Sequence, residues 1–183
     1  MMGTLPKEQQ GGQEERKSMN SAKKVAIILG SDSDLPVAKK AAATLKELEI
    51  PFAIHVYSAH RTPDAARDFA RNARAAGFGV IIAAAGMAAH LAGALAANTT
   101  LPVIGIPCAG PVLDGLDALL STVQMPTGIP VATVAVGGGA NAALLAAQIL
   151  AVEDAELAAR LDAKRAADAA AVLEKDAGVV ERI

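Results

Sequence analysis

The sequence predicts an α/β fold in which helices cover both faces of a five-stranded parallel sheet, with one more helix at the C-terminus. From Lys24 onward, short β-branched runs alternate five times with helical runs. Units of this length join parallel strands through helical connections, which are right-handed in nearly all proteins. The 183 residues suit one domain with a full core. That core must be aliphatic, because 52% of the residues are hydrophobic and only 2% are aromatic.

Each predicted element follows from the pattern of apolar residues. The strands are the short apolar runs 25–29, 52–57, 80–84, 103–106 and 131–136. The helices that follow them are 35–48, 63–76, 88–97, 112–120 and 141–150. In the first helix, the spacing places four apolar side chains on one face, namely Val37, Ala41, Leu45 and Leu48. This face can pack on the sheet.

The chain divides into three segments. Residues 1–22 are polar and lack the apolar core of a signal peptide, so we expect a flexible extension. The α/β domain spans 23–152, and 153–183 holds an Ala-rich helix, at about 154–175, and a tail. Polar residues interrupt the apolar face of this helix, so the sequence does not decide which surface the helix packs against. It packs either on a neighbouring subunit, the sharper hypothesis, or on the edge of its own sheet.

Composition argues against several classes of protein. The net charge is −2 and aromatic–basic clusters are absent, so we do not expect nucleic acid as a partner. The single cysteine, Cys108, excludes an internal disulfide and a multi-cysteine metal site, and its apolar surroundings predict a buried thiol. No pair of histidines has metal-ligand spacing. We expect no membrane span, and a cytoplasmic protein.

The motif Ser-Ala-His-Arg-Thr-Pro at 58–63 is the strongest indication of a site. It lies between a predicted strand and a predicted helix, with Thr62 placed as a cap and Pro63 in the first turn. Open α/β sheets bind ligands at this edge. Helix amides and Arg61 would attract an anion there and disfavour a positive charge on His60. A neutral imidazole beside an anion site is suited to proton transfer.

Three other strand-to-helix turns could contribute to the same edge. In 30–34, Gly-Ser-Asp-Ser-Asp, Ser33 or Asp34 can cap the next helix, and an aspartate also suits ribose hydroxyls. In 83–90, small residues allow close approach of a ligand, while the spacing alone favours His90 as a core histidine. In 137–141, Asn141 is expected to cap the last helix of the domain.

Taken together, five motifs in order resemble one family. The resemblance runs from about Lys24 to the tail helix and rests on Gly30-Ser31-Asp32-Ser33-Asp34, Ser58-Ala59-His60-Arg61-Thr62-Pro63, Ala88-Ala89-His90-Leu91, Leu119-Leu120-Ser121-Thr122-Val123-Gln124-Met125-Pro126 and Ala140-Asn141-Ala142-Ala143-Leu144-Leu145-Ala146. This is the bacterial N5-carboxyaminoimidazole ribonucleotide mutase family of de novo purine synthesis, the catalytic subunit of phosphoribosylaminoimidazole carboxylase.

The resemblance implies a flavodoxin-like three-layer αβα sandwich, homo-octamers whose C-terminal helices cross between subunits, and no metal or organic cofactor. The implied substrate is an aminoimidazole ribonucleotide with a carboxylate on its exocyclic nitrogen. His60 would carry the proton, and Arg61 and Ser31 would lie near the phosphate. Other implied pocket residues are Asp34, Ser58, Ala59, Gly86, His90 and the loop 124–128.

The chain departs from the family pattern at four places. Met87 stands where glycine is usual, Ala92 where proline is usual, and Thr127 where arginine is frequent. The stretch 137–139 is shorter than usual and lacks a lysine. None of these changes touches His60 or Arg61, so they bear on affinity and pocket outline more than on the reaction.

Two alternative functions follow from the same motifs. A related carboxylase acts on aminoimidazole ribonucleotide and CO2 directly and shares the Ser-Ala-His start. The segment Ala88-Ala89-His90-Leu91 favours the mutase over it. A non-catalytic nucleotide-binding scaffold is the other alternative, because fold alone does not determine function. A scaffold, however, has no need of His60 and Arg61 at a strand end.

Overall fold

A computed structural model describes residues 22–179 and contains the predicted sheet. The five parallel strands, in the spatial order β2-β1-β3-β4-β5, are β1 Lys24–Leu29, β2 Phe52–Val56, β3 Phe78–Gly86, β4 Val103–Cys108 and β5 Ala132–Thr133. The helices are α1 Leu35–Glu47, α2 Pro63–Asn72, α3 Leu91–Ala96, α4 Leu116–Val123, α5 Gly139–Ala151 and α6 Ala155–Ala177. The three-layer, flavodoxin-like architecture is confirmed.

Two apolar layers hold the helices to the sheet. Successive strand residues point to opposite faces, so Ile27 and Ile82 pack with α1 and α5, while Ile28 and Ile81 pack with α2 and α3. The central strands are buried on both faces, as a parallel sheet requires. Because β1 has β2 on one side and β3 on the other, the chain changes direction across the sheet beside β1. A crevice forms at such a switch point.

The additional helix α6 is only partly packed. Leu157 is buried in the core, Arg160 Nε donates to the Leu48 carbonyl at 3.1 Å, and Lys164 pairs with Glu47 at 3.0 Å. Every residue from 165 to 177 is exposed, with Val172 at 63%. The first half of α6 therefore packs on its own subunit, and the second half is free of it.

Several predicted boundaries were wrong. β5 has two residues instead of six, and α2 ends at Asn72 because a turn closed at Gly77, with a positive φ, precedes β3. α3 begins at Leu91, since residues 87–90 form turns, and α4 begins after left-handed Asp114 and Gly115. Gly138, and not Asn141, is the residue that precedes α5.

Other predictions concern the ends of the chain and the membrane. The predicted extension 1–22 lies outside the described residues except for Ala22, as do the last four residues of the tail. None of the helices between residues 22 and 179 is long and apolar enough to cross a membrane.

Candidate active site

A cavity of about 650 Å³ lies at the carboxyl edge of the sheet, beside the switch point. The turns after β1, β2, β3 and β4 surround it. Eight of the residues that the sequence analysis selected line it: Ser31, Asp34, Ser58, Ala59, His60, Arg61, Gly86 and His90. Parallel strands explain this convergence, because all their carboxyl ends meet at one edge.

The turn after β1 brings a hydroxyl and a carboxyl group to the cavity. Ser31 Oγ accepts from the Ser33 amide at 3.3 Å and donates to Asp32 Oδ1 at 3.1 Å, so this serine caps a short 3-10 turn at 32–34. Asp34 is only 8% exposed. Burial raises the pKa of Asp34, while the Cys108 thiol and the Ser31 backbone oppose this shift and Asp32 adds to it. The cavity therefore contains a carboxyl group that is unusually hard to ionise.

The turn after β2 is closed by its own side chains. The Ser58 amide donates to Thr62 Oγ1 at 2.9 Å, and that hydroxyl donates to the Ser58 carbonyl at 3.1 Å. The Arg61 amide donates to Ser58 Oγ at 3.1 Å. Thr62 thus fixes the loop and does not cap α2 with its side chain, which corrects the sequence prediction. The effect is to hold His60 and Arg61 in a short, well-determined turn.

Arg61 extends back across the sheet edge toward the turn after β1. Its Nη2 donates to the Gly30 carbonyl at 3.2 Å. No carboxylate pairs with this guanidinium among the described residues. Most of its hydrogen-bond donors are therefore available to an anion bound near Ser31.

Two histidines meet at the cavity. His60 Nε2 and His90 Nδ1 are 2.8 Å apart, and the two rings meet edge to face. Both side chains are exposed, so His90 is not the core histidine that its spacing suggested. In such a contact one ring nitrogen donates and the other accepts. The pair therefore couples the protonation of His60 to the tautomer of His90.

Comparisons with known proteins show the family to which the chain belongs. A sequence model of the AIR carboxylase family matches residues 24–171. The chain belongs to the AIR carboxylase family. A relative from Pyrococcus abyssi named N5-carboxyaminoimidazole ribonucleotide mutase is 56% identical over 138 residues, 75% of this chain and 79% of the relative. A relative of the same name from Mycobacterium tuberculosis is 54% identical, and the match covers 84% of this chain and 88% of the relative. One from Bacillus subtilis is 53% identical, and the match covers 82% of this chain and 94% of the relative.

Solved structures agree with the fold. A crystal structure of a Treponema denticola PurE2 variant has a TM-score of 0.80 at 30% identity, and the match covers 87% of this chain and 99% of the crystallised chain. A crystal structure of Treponema denticola PurE has a TM-score of 0.76 at 31% identity, and the match covers 85% of this chain and 98% of the crystallised chain.

One wall of the cavity was not predicted from the sequence. Residues 109–111, after β4, line the cavity and were not selected, although the end of the fourth strand had to reach the same edge. The loop 124–128 does not line it within one chain. Instead, Met125 packs against Gly93 of α3, and Gly128 borders a separate cavity of about 950 Å³ near the amino ends of β4 and β5.

His55, the third histidine, lies outside the cavity. His55 stacks on Tyr57 with ring centroids 5.3 Å apart and contacts Phe69, so it belongs to an aromatic cluster outside the cavity. In the part of the chain that the structure describes, no group of three or more histidine, cysteine or acidic side chains could hold a metal ion.

Proposed function

We propose that this chain is an N5-carboxyaminoimidazole ribonucleotide mutase of de novo purine synthesis. The reaction moves a carboxylate from the exocyclic nitrogen of the substrate to the adjacent ring carbon and yields 4-carboxy-5-aminoimidazole ribonucleotide. The observation that carries the proposal is the contact of His60 with His90 at a cavity that also contains Arg61. The relatives named as this mutase support it, at more than 50% identity over most of the chain.

The cavity offers a separate group for each part of the substrate. Arg61 and Ser31 would bind the phosphate, because a planar guanidinium and a hydroxyl both donate to phosphate oxygens. Asp34 would accept from ribose hydroxyls, and the Ser58–Ala59 backbone would lie along the sugar and base. Gly86 allows a ligand to come close to the backbone at the end of β3, since it has no side chain.

The proposed chemistry needs one proton carrier that works twice. The bond between the exocyclic nitrogen and the carboxylate breaks and releases CO2, and its electron pair stays on nitrogen, which takes a proton from protonated His60. The electron-rich ring carbon then attacks the CO2. Neutral His60 removes the hydrogen from that carbon, which restores the aromatic ring and recharges the histidine. Acid and base steps balance within one turnover, and histidine suits both near neutral pH.

His90 would determine which atom of His60 carries the proton. With His90 in its Nε2–H tautomer, its Nδ1 accepts from His60 Nε2–H across 2.8 Å. His60 Nδ1 is then the atom that loses and gains the proton on the substrate side. The contact keeps the ring in one orientation during both steps, as the second proton transfer requires.

The trapped CO2 must neither escape nor meet water. The wall formed by Ala85, Gly86, Met87, Ala88 and Leu91 has no charged side chain. An apolar wall does not stabilise bicarbonate, and it keeps the CO2 next to the ring carbon at high effective concentration.

Two substrates distinguish the proposed reaction from its alternatives. Purified protein is given N5-carboxyaminoimidazole ribonucleotide, and in a separate assay aminoimidazole ribonucleotide with CO2 or bicarbonate. We expect efficient isomerisation of the first. Turnover of the second alone would identify a direct carboxylase, and binding of either without turnover would identify a scaffold.

Variants of two histidines test the role of His60. His60→Asn should lower kcat by roughly 10²- to 10⁴-fold while nucleotide binding changes little, because an amide cannot exchange the proton. His55→Asn is the matched control, since His55 lies in the aromatic cluster outside the cavity. A His60→Asn enzyme with wild-type kcat would refute the proton-carrier role. Arg61→Ala should instead raise KM more than it lowers kcat.

We also propose that the chain works as a homo-octamer in the cytoplasm, without a metal or organic cofactor. Large apolar side chains are exposed on one face of α4 and the loop before it: Val112, Leu113, Leu116, Leu120 and Val123. Such a patch favours contact with another copy. Light scattering on the purified protein should give eight times the mass of one chain. Activity should survive dialysis against a chelator, and cell fractionation tests the location.

A further inference from the structure

Ser121, on the inner side of α4, contacts the loop that carries His90. Its Oγ accepts from the Ala89 amide at 3.1 Å and lies 3.3 Å from the Met87 carbonyl. Its own proton has a nearer acceptor, the Asp117 carbonyl one helical turn back, at 2.8 Å. The helix therefore fixes the rotation of the hydroxyl and directs its oxygen toward the Ala89 amide. One side chain thus connects α4 to the end of β3, although 32 positions separate the two residues.

The loop needs an external support. Met87 has φ of 53°, a left-handed conformation that strains a residue with a side chain. Without Ser121, the Ala89 amide would keep only its contact with the Met87 carbonyl two residues earlier, at 2.9 Å. Ala89 is buried, so water cannot replace the lost partner. His90 is the next residue, and any shift of Ala89 moves its ring.

We propose that Ser121 is a positioning residue for the reaction. It holds the turn 87–89 so that His90 Nδ1 stays within hydrogen-bond distance of His60 Nε2. Ser121 does not line the cavity and does not touch the substrate. Ser121 affects the proton transfer indirectly, because it positions the loop backbone and thereby the contact between His60 and His90. The kinetic part of this inference rests on the proposed mutase activity, and the structural part does not.

The test compares Ser121→Ala with Thr122→Val and Ser121→Thr. Thr122 is the matched control because its buried hydroxyl donates only within α4, to the Ala118 carbonyl at 2.7 Å. Ser121→Thr retains the hydroxyl. We expect Ser121→Ala to lower kcat roughly 10- to 100-fold with KM within about threefold, since small misplacements of catalytic groups have effects of this size. The control and the threonine variant should stay within about threefold of wild type in both constants.

A second measurement does not depend on activity. Hydrogen–deuterium exchange of peptides that cover residues 86–91 reports on the Ala89 amide, and the ¹⁵N signals of the histidine rings report on the contact between His60 and His90. Ser121→Ala should speed exchange of this amide at least tenfold and alter both ring signals, whereas Thr122→Val should change neither.

The outcomes separate this inference from the proposed function. Unchanged exchange and ring signals in Ser121→Ala would overturn the inference, and so would an unchanged kcat in an active enzyme. If the wild-type protein does not turn over the mutase substrate, the proposed function fails instead. The exchange and ring signals then decide alone whether Ser121 positions the loop.

Discussion

Replacing Asp34 by asparagine should make the protein more stable and weaken substrate binding. The side chain is 8% exposed, and burial is the largest cause of its raised pKa. At neutral pH, folding therefore places a carboxylate where solvation is poor. An amide has nearly the same shape and no charge, so it removes this cost.

The stability change has a defined pH dependence. A carboxyl group whose pKa is raised by folding binds more protons in the native state than in the unfolded state, so its ionisation destabilises the fold as pH rises. The gain from Asp34→Asn should be complete above the folded-state pKa and should disappear as pH falls to the ordinary value of 3.8. Each pKa unit of the shift corresponds to about 1.4 kcal/mol of unfolding free energy. The pKa of Asp34 measured by NMR therefore predicts the gain quantitatively.

The effect on binding has the opposite sign. Asparagine keeps an acceptor oxygen but loses the charge, so a hydrogen bond from a ribose hydroxyl becomes weaker by about 1 kcal/mol, which should raise KM roughly fivefold. The assay is urea unfolding at neutral pH and near pH 4, together with KM for the nucleotide. Asp32→Asn is the matched control, because it removes the same charge from an exposed side chain two residues away. Its effect on stability should be small.

Two results would refute this reasoning. One is an Asp34→Asn protein that is less stable than wild type at neutral pH, since burial of the charge would then not be costly. The other is a stability gain that stays constant down to pH 4, because a gain that comes from ionisation must fade there.

Three further predictions follow from packing. Burial raises the pKa of Cys108 to about 12, so at pH 8 the thiolate population of Cys108 is roughly a thousandfold lower than that of an ordinary thiol. Ellman's reagent should therefore modify Cys108 only after unfolding. Rapid modification of the native protein would contradict this. Gly139→Ala should cost about 1–3 kcal/mol in urea unfolding, because a Cβ there would overlap the Val37 carbonyl, whereas Gly93→Ala meets only the flexible end of Met125 and should cost less. Leu157→Ala should cost about 2–5 kcal/mol and expose α6 to proteolysis, and an unchanged protease pattern would show that α6 packs by other contacts.

The sequence by itself determined the fold class and the edge of the sheet that binds ligands. Alternation of apolar and helical runs identified five strands, and parallel strands bring their carboxyl ends together whatever the details of packing. That rule was enough to bring the turns with Ser31, Asp34, His60 and Arg61 to one cavity, and the family resemblance added His90. Boundaries were less accurate, because the ends of α2, α3 and β5 depend on turns and on neighbouring elements.

Only the tertiary structure decided which side chains touch. The contact between His60 and His90 joins residues 30 positions apart, and local spacing had favoured a core role for His90. The hydrogen bond between Ser121 and Ala89 joins α4 to the end of β3, and no sequence motif predicts this contact. The Thr62 side chain closes its loop instead of capping α2, since its hydroxyl is bonded to the Ser58 amide and carbonyl. A sequence pattern reports which residues share an edge or a face, whereas hydrogen-bond partners depend on distances that exist only after the layers have packed.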